Sequence, residues 1–282
     1  MKIETFYPKN SILKEHIEYY YFLKTYSRDF KTAYYSFPNT LQSFNIHKNA
    51  SYEIKHHSTH VYGVPEKKYL MIAQGKYESP LQVLLEGKLD KVTINFKPLG
   101  LNHFIRKPLA AITPEHSQSF HEWDQHADTS AFLNAFFGTN DNESRVDLLE
   151  EYLLKQYQPL GNEALLQKAI HSLMDFTTEL PVQEIAAQLS VSIRSFNRLF
   201  FNNMGITPVS FRKIARFRHS LTNRLFNEQF KNLTDIGYES NFYDQAYFVK
   251  MYKKITGSNP GKFFKSVDKL ADDHLIFQFL KE

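Results

Sequence analysis

The chain of 282 residues contains no cysteine. Disulfides, thiolate metal sites and thiol nucleophiles are therefore excluded, and the composition suits a reducing compartment. No glycine-rich loop of the phosphate-cradling kind is present. The opening MKIETFYPKN has no apolar run of the signal-peptide type, and no segment approaches the roughly 20 apolar residues of a membrane span. These absences predict a soluble, cytoplasmic protein with no membrane partner. Nor does any stretch assemble a nucleophile, a base and an oxyanion donor, so no catalytic residues are assigned and no enzyme is expected.

Histidine is the remaining source of metal ligands. His56 and His57 are adjacent, and neighbouring residues of a strand point to opposite faces, so they cannot easily share an ion with His60. His116, His121 and His126 recur every five residues, which fits no single helical face. From these spacings neither a metal nor a cofactor is expected.

What is present is a pattern written twice. Ile185, Phe196, Arg198, Phe200, Gly205, Pro208 and Phe211 have counterparts in Ile236, Phe248, Lys250, Tyr252, Gly257, Pro260 and Phe263, offset by 51 residues at the first pair and 52 afterwards. In the first copy Val182, Ile185, Ala186 and Leu189 follow helical spacing. Ser190-Val191-Ser192 then turns the chain, and Ser192 is placed to cap a second helix that buries Phe196, Leu199 and Phe200. The second copy repeats this with Leu233, Ile236 and Gly237, a turn at Asn241, and a helix burying Phe248, Met251 and Tyr252. Each copy closes with Gly-x-x-Pro: Gly for a left-handed C′ position, Thr207 or Asn259 for the next N-cap, Pro for the first helical residue. Two helix-turn-helix units on one chain point to DNA.

The segments LPVQEIAAQLSVSIRSFNRLFFNNMGITPVSFRKIARF and LTDIGYESNFYDQAYFVKMYKKITGSNPGKF resemble the DNA-binding domain of AraC/XylS transcription regulators. Order, spacing and both Gly-x-x-Pro closures agree over roughly the last hundred residues. The chain departs at three turn or helix positions: Ser190 and Asn241 stand where the family usually has Gly, and Gly237 where it usually has Ala. The resemblance implies base-facing side chains at Arg194, Asn197 and Arg198 in the first unit, and at Gln245, Ala246 and Lys250 in the second. Their chemistry agrees, since Arg can grip guanine, and Asn or Gln adenine, through two hydrogen bonds. Relatives that accept a methyl group on cysteine are excluded, and RNA polymerase is implied as a partner only by the family.

Charge follows the same division. Residues 160–268 carry 14 Lys and Arg against 9 Asp and Glu, whereas the rest carries 20 against 21. The basic part suits phosphate contact. Residues Arg212, Lys213, Arg216 and Arg218 lie on the helix joining the units, part of which is expected to be scaffold, and they are expected to give one or two such contacts at most.

Ahead of residue 110 the chain reads as short strands broken by turns: 52–54, 61–64, 69–72, 81–85, and 91–96 with Val92, Ile94 and Phe96 on one face. A small β-barrel or sandwich follows from this spacing. The aromatic run Tyr19, Tyr20, Tyr21, Phe22, Tyr34, Tyr35 and Phe37 suits strand core and could also line a ligand pocket. Around Phe96-Lys97-Pro98-Leu99-Gly100 the chain is similar to the N-terminal domain of some regulators of that family. The similarity implies a cupin-like barrel that holds a small-molecule effector or mediates homodimerisation. Residues 130–156 switch to helical spacing, and Val146, Leu149 and Leu153 form an apolar stripe that serves either the chain's own barrel or a dimer seam.

The expected fold class is therefore α+β. It divides into a regulatory or dimerisation domain at 1–158, an all-α DNA-binding domain with two helix-turn-helix units at 162–268, and an apolar tail at 269–282 that packs on something. The expected function is sequence-specific transcription regulation through double-stranded DNA, with two recognition helices in successive major grooves. The competing reading is a ligand-binding or metal-dependent barrel with a helical interaction module.

Overall fold

The computed structural model describes residues 1–55, 57–65, 69–114, 116–125, 127–226, 245–270 and 275–280. In chain order its first part runs β1 (Lys2–Phe6), α1 (Ser11–His16), β2 (Ile17–Lys24), β3 (Lys31–Ser36), β4 (Gln42–Lys48), β5 (Ala50–Lys55), β6 (Ser58–Gly63), β7 (Tyr69–Gln74), β8 (Leu81–Glu86) and β9 (Asp90–Phe96). A 3-10 turn (Gly100–Phe104), α2 (Leu109–Ile112), β10 (Ser117–Ser119), α3 (Ala127–Gly138) and α4 (Asn142–Gln156) follow. The helical part comprises α5 (Glu163–Met174), α6 (Val182–Gln188), α7 (Ile193–Met204), α8 (Pro208–Phe226), α9 (Gln245–Thr256) and α10 (Pro260–Ser266). Two further strands, β11 (Asp268–Leu270) and β12 (Leu275–Phe279), end the described chain.

The class is α+β, but the strands do not close into a barrel. They form two six-stranded sheets, ordered β1-β2-β9-β4-β7-β10 and β11-β12-β3-β8-β6-β5. The β6–β8 pair is parallel, and the other described pairs are antiparallel. The first sheet is covered on both sides. Val92, Ile94 and Phe96 of β9, each fully buried, join Tyr20, Phe22, Phe44 and Ile46 in a core shared with α3 and α4. The alternate residues Lys91, Thr93 and Asn95 are also buried and face the second sheet, on the side where Tyr19, Tyr21, Tyr34, Val61 and Leu85 pack together.

The stripe of Val146, Leu149 and Leu153 is completely buried in the first of these cores. It covers the chain's own sheet and is not available as a dimer seam. Two polar anchors fix α4 in place. Arg145 donates to both carboxylate oxygens of Asp90 at 2.9 and 3.0 Å, and Glu150 accepts from the backbone N–H groups of Lys9 and Asn10 at 2.7 and 2.9 Å. Asn10 in turn caps α1, accepting from Ile12 N.

The expected tail contributes to the second sheet, through β11 and β12. Phe277, Gln278 and Phe279 pair with Ser36, Tyr35 and Tyr34 of β3. The rings of Phe277 and Phe279 lie 4.4 and 5.9 Å from that of Tyr34. The helical part thus sits in sequence between strands that belong to one structural layer.

Candidate nucleic-acid interface

In the first helix-turn-helix unit, α6 buries Ile185 and Ala186, while Val182 and Leu189 pack at the edge of the same core. Ser190 takes φ +57°, the left-handed conformation for which a turn glycine is the ordinary choice. Ser192 caps α7, its hydroxyl accepting from Ser195 N at 3.2 Å. Along α7 the faces separate. Phe196 and Phe200 are completely buried, and Arg194, Asn197, Arg198 and Asn202 are exposed. Gly205 then ends α7 at φ +66°, and Thr207 accepts from Ser210 N ahead of Pro208 to open α8.

The first helix of the second unit, with Leu233, Ile236, Gly237 and the turn at Asn241, lies outside the described residues. Its second helix, α9, repeats the division of α7. Phe248, Met251 and Tyr252 are buried, and Gln245, Ala246 and Lys250 are exposed together with Tyr247 and Lys253. Val249 packs partly against the core of its own unit. Gly257 at φ +73° closes the helix, and Asn259 caps α10 by accepting from Lys262 N at 2.9 Å.

Most basic side chains of the joining helix α8 are engaged within the protein. Arg212 donates to Leu180 O at 2.5 Å and Arg216 pairs with Glu179. Arg218 donates to the carbonyl oxygens of Phe37 and Pro38, both at 2.7 Å. Three of the four basic side chains are therefore committed inside the protein. Lys213 alone of these four is exposed.

Those contacts belong to a broader junction. Leu99, at φ +69°, is buried in the core of the first unit, and Phe37 in the core of the second. Asn102 Nδ2, in the 3-10 turn, donates to Asn203 O and Oδ1 at 3.1 and 3.2 Å, and α2, which follows that turn, packs against α7. Glu78 reaches both units, accepting from Ser210 Oγ at 2.6 Å and lying 3.7 Å from Lys254 Nζ.

Beside this junction a cavity of about 80 Å³ lies between the two sheets. A single water needs roughly 10–15 Å³ by this measure, so there is room for a few heavy atoms. Its walls are unusually polar for a sandwich interior: His47, Asn45, Asn95 and Lys91 from the first sheet, Tyr34 from the second, and Arg218 from α8. Lys91 Nζ donates to Tyr21 Oη at 3.2 Å. His47 Nδ1 and Asn95 Nδ2 are buried without a hydrogen-bond partner. Burial, and then Lys91, pushes the His47 pKa well below its ordinary value; burial raises that of Tyr34.

A family model described as a helix-turn-helix domain matches residues 185–266. Among curated proteins, the chain is 25% identical over 137 residues to the arabinose operon regulatory protein of Escherichia coli. It is 30% identical over 95 residues to the HTH-type transcriptional activator RhaS of Klebsiella pneumoniae. The C-terminal part of the chain is an AraC-type helix-turn-helix domain. These matches span 45% and 33% of this chain, and 46% and 34% of the respective relatives, so the chain spans less than half the length of each. Among solved structures, ToxT from Vibrio cholerae overlaps 86% of this chain and 98% of its own, at 13% identity and a TM-score of 0.47. At that distance the likeness carries no argument about ligand or mechanism.

Within the AraC-type domain, the six side chains expected to face bases are all exposed, three on α7 and three on α9. Among the described residues Arg194 and Arg198 have no carboxylate within ion-pair distance. Among the described residues, the histidines considered above for metal do not converge. His60 Nε2 lies 3.1 Å from Glu86, His116 Nε2 meets Ser58 O, and His121 pairs with Asp124 at 2.8 Å. His56 and His126 are outside the described residues. Sequence reasoning missed Leu99 and Phe37 as parts of the helical cores. The one available signal was a proline neighbour, Pro38 after Phe37 and Pro98 before Leu99.

Proposed function

We propose that this chain is a sequence-specific, non-enzymatic regulator of transcription, in which residues 162–268 read DNA and the strand-rich part controls how they are presented. One observation carries the reading: two helices, each with buried aromatics on one face, expose Arg194, Asn197 and Arg198, and Gln245, Ala246 and Lys250. Those residue types suit base edges in the major groove. Successive grooves on one side of a duplex lie about 34 Å apart, so a shorter separation of α7 and α9 would require bent DNA.

The polar cavity supports an effector site for a small molecule with hydrogen-bonding groups. Arg218 lines it and also holds the carbonyl of Phe37, so an occupant would touch the residue that reaches the second unit. RNA polymerase is the expected partner of the DNA-bound form, and the cytoplasm the expected place of action. Selection of bound sequences from a random duplex pool by the full chain tests this reading. A recovered motif whose affinity falls steeply with salt supports it. Recovery of no motif, with binding indifferent to salt, refutes it.

A further inference from the structure

Away from both the recognition helices and the cavity, three side chains converge from distant parts of the sequence. His16 closes α1, His103 lies in the 3-10 turn after β9, and Glu163 is the first residue of α5. A ring nitrogen from each histidine and a carboxylate oxygen of Glu163 lie within 4.8 Å of one another. The two histidines are 5% and 0% exposed.

The backbone holds this arrangement tightly. Lys97 N donates to His16 O at 2.8 Å, and Gly100 packs against that same carbonyl so closely that a Cβ would collide with it. The imidazoles of His16 and His103 sit 3.9 Å apart between ring centroids, and Tyr157 stacks on His103 at 5.4 Å. Both rings are therefore fixed in orientation.

His103 Nδ1 lies 2.9 Å from the carbonyl oxygen of Gln158, which can only accept, so Nδ1 carries the proton and Nε2 of the neutral ring offers a lone pair. That Nε2 is 3.2 Å from Glu163 Oε1 yet makes no hydrogen bond, and His16 Nε2 is likewise buried without a partner. The centre thus presents lone pairs from nitrogen and oxygen.

We propose that His16, His103 and Glu163 bind one divalent transition-metal ion, which ties the strand-rich part to the first helix of the DNA-binding domain. Two imidazoles and one carboxylate suit zinc and its neighbours in the first transition row better than calcium or magnesium. The Nδ1–H bond from His103 to a backbone carbonyl is the usual outer support of a metal-binding histidine. Metal bonds of about 2.0–2.1 Å place tetrahedral donors roughly 3.3 Å apart. Glu163, whose side chain is 33% exposed, is the ligand free to close that distance. Its open side leaves the fourth position to water.

The test uses the full chain without an affinity tag, stripped with chelator and titrated with Zn²⁺ and with Co²⁺. Calorimetry is expected to give one Zn²⁺ per chain, and Co²⁺ to show visible bands of a four- or five-coordinate ion. Glu163→Gln, altered at the partly exposed ligand, should stay folded by circular dichroism and bind Zn²⁺ roughly tenfold or more weakly. His16→Gln should do the same, and His121→Gln should bind as the wild type does. Zn²⁺ should raise the unfolding temperature of the wild type but barely that of Glu163→Gln. Failure of the wild type to bind stoichiometrically would overturn the proposal, as would Zn²⁺ affinity unchanged by Glu163→Gln. Should His16→Gln not fold, Glu163→Gln alone decides.

Discussion

The ring of Phe37 meets that of Phe263 edge-on, with centroids 4.9 Å apart and planes at 90°. One residue comes from the turn after β3 and the other from the closing helix of the second helix-turn-helix unit. Their contact, with Leu99 in the first unit, means that neither helix-turn-helix core is complete without a side chain from the strand-rich part.

Truncating the plug should therefore weaken the whole. Phe37 is 1% exposed, and removing a buried Phe side chain typically costs about 3–5 kcal/mol. Phe37→Ala is expected to lower the urea midpoint by a corresponding amount, though the residue lies far in sequence from the helices it supports. An unchanged midpoint would mean that the second unit keeps its core unaided.

Arg198→Ala should cost roughly 1–3 kcal/mol at the selected DNA site and relax base preference at one position. Lys250→Ala, its repeat counterpart, should weaken specific and random duplexes more evenly, as loss of a phosphate contact does. Binding isotherms on both kinds of DNA separate the two outcomes. An unaltered specific-to-random ratio for Arg198→Ala would remove it from base contact.

Ser190 pays a conformational penalty at φ +57° that glycine avoids. Ser190→Gly should stabilise the protein by about 0.5–1 kcal/mol, the penalty of a left-handed residue less the greater entropy glycine loses on folding. Gly205→Ala, at φ +66°, should act in the opposite sense. Thermal unfolding of the two variants side by side checks both signs.

Acidification should loosen the strand layers through His47. Its pKa is lowered in the folded state, by burial first and Lys91 second. The unfolded chain takes up this proton near pH 6.5 and the folded chain only at lower pH. This group's contribution is therefore complete above about pH 6.5 and declines as pH falls below that value. Urea midpoints from pH 7.5 to 5.5 should fall less for His47→Gln than for the wild type. His16, also shifted down, acts in both proteins and cancels in the comparison. Parallel curves for the two proteins would show that His47 is not the sensor.

The helical units were legible because their signals are local. Ser192, Thr207 and Asn259 cap, Gly205 and Gly257 stop, and Phe196 or Phe248 marks the inner face, all within a dozen residues of what they control. Strand patterns were readable too, as Val92, Ile94 and Phe96 show, but alternation does not say whether sheets close. Partners such as Phe277 and Ser36 are too far apart in sequence for any pattern to link them. Spacing arguments over neighbouring histidines passed by His16, His103 and Glu163 for the same reason. Only the folded chain brings those three together.

Pairing of β12 with β3 has a mechanical consequence. A reader of DNA hung from one linker is a swivel, and its angle is set largely by the duplex it grips. Here the helices are mounted at two points, through the segment entering α5 and through the strand leaving α10 toward the second sheet. A two-point mounting resists rotation and passes torque. Bent or twisted DNA would load the seam between β3 and β12, and a change within the sheets would tilt the recognition helices as a set.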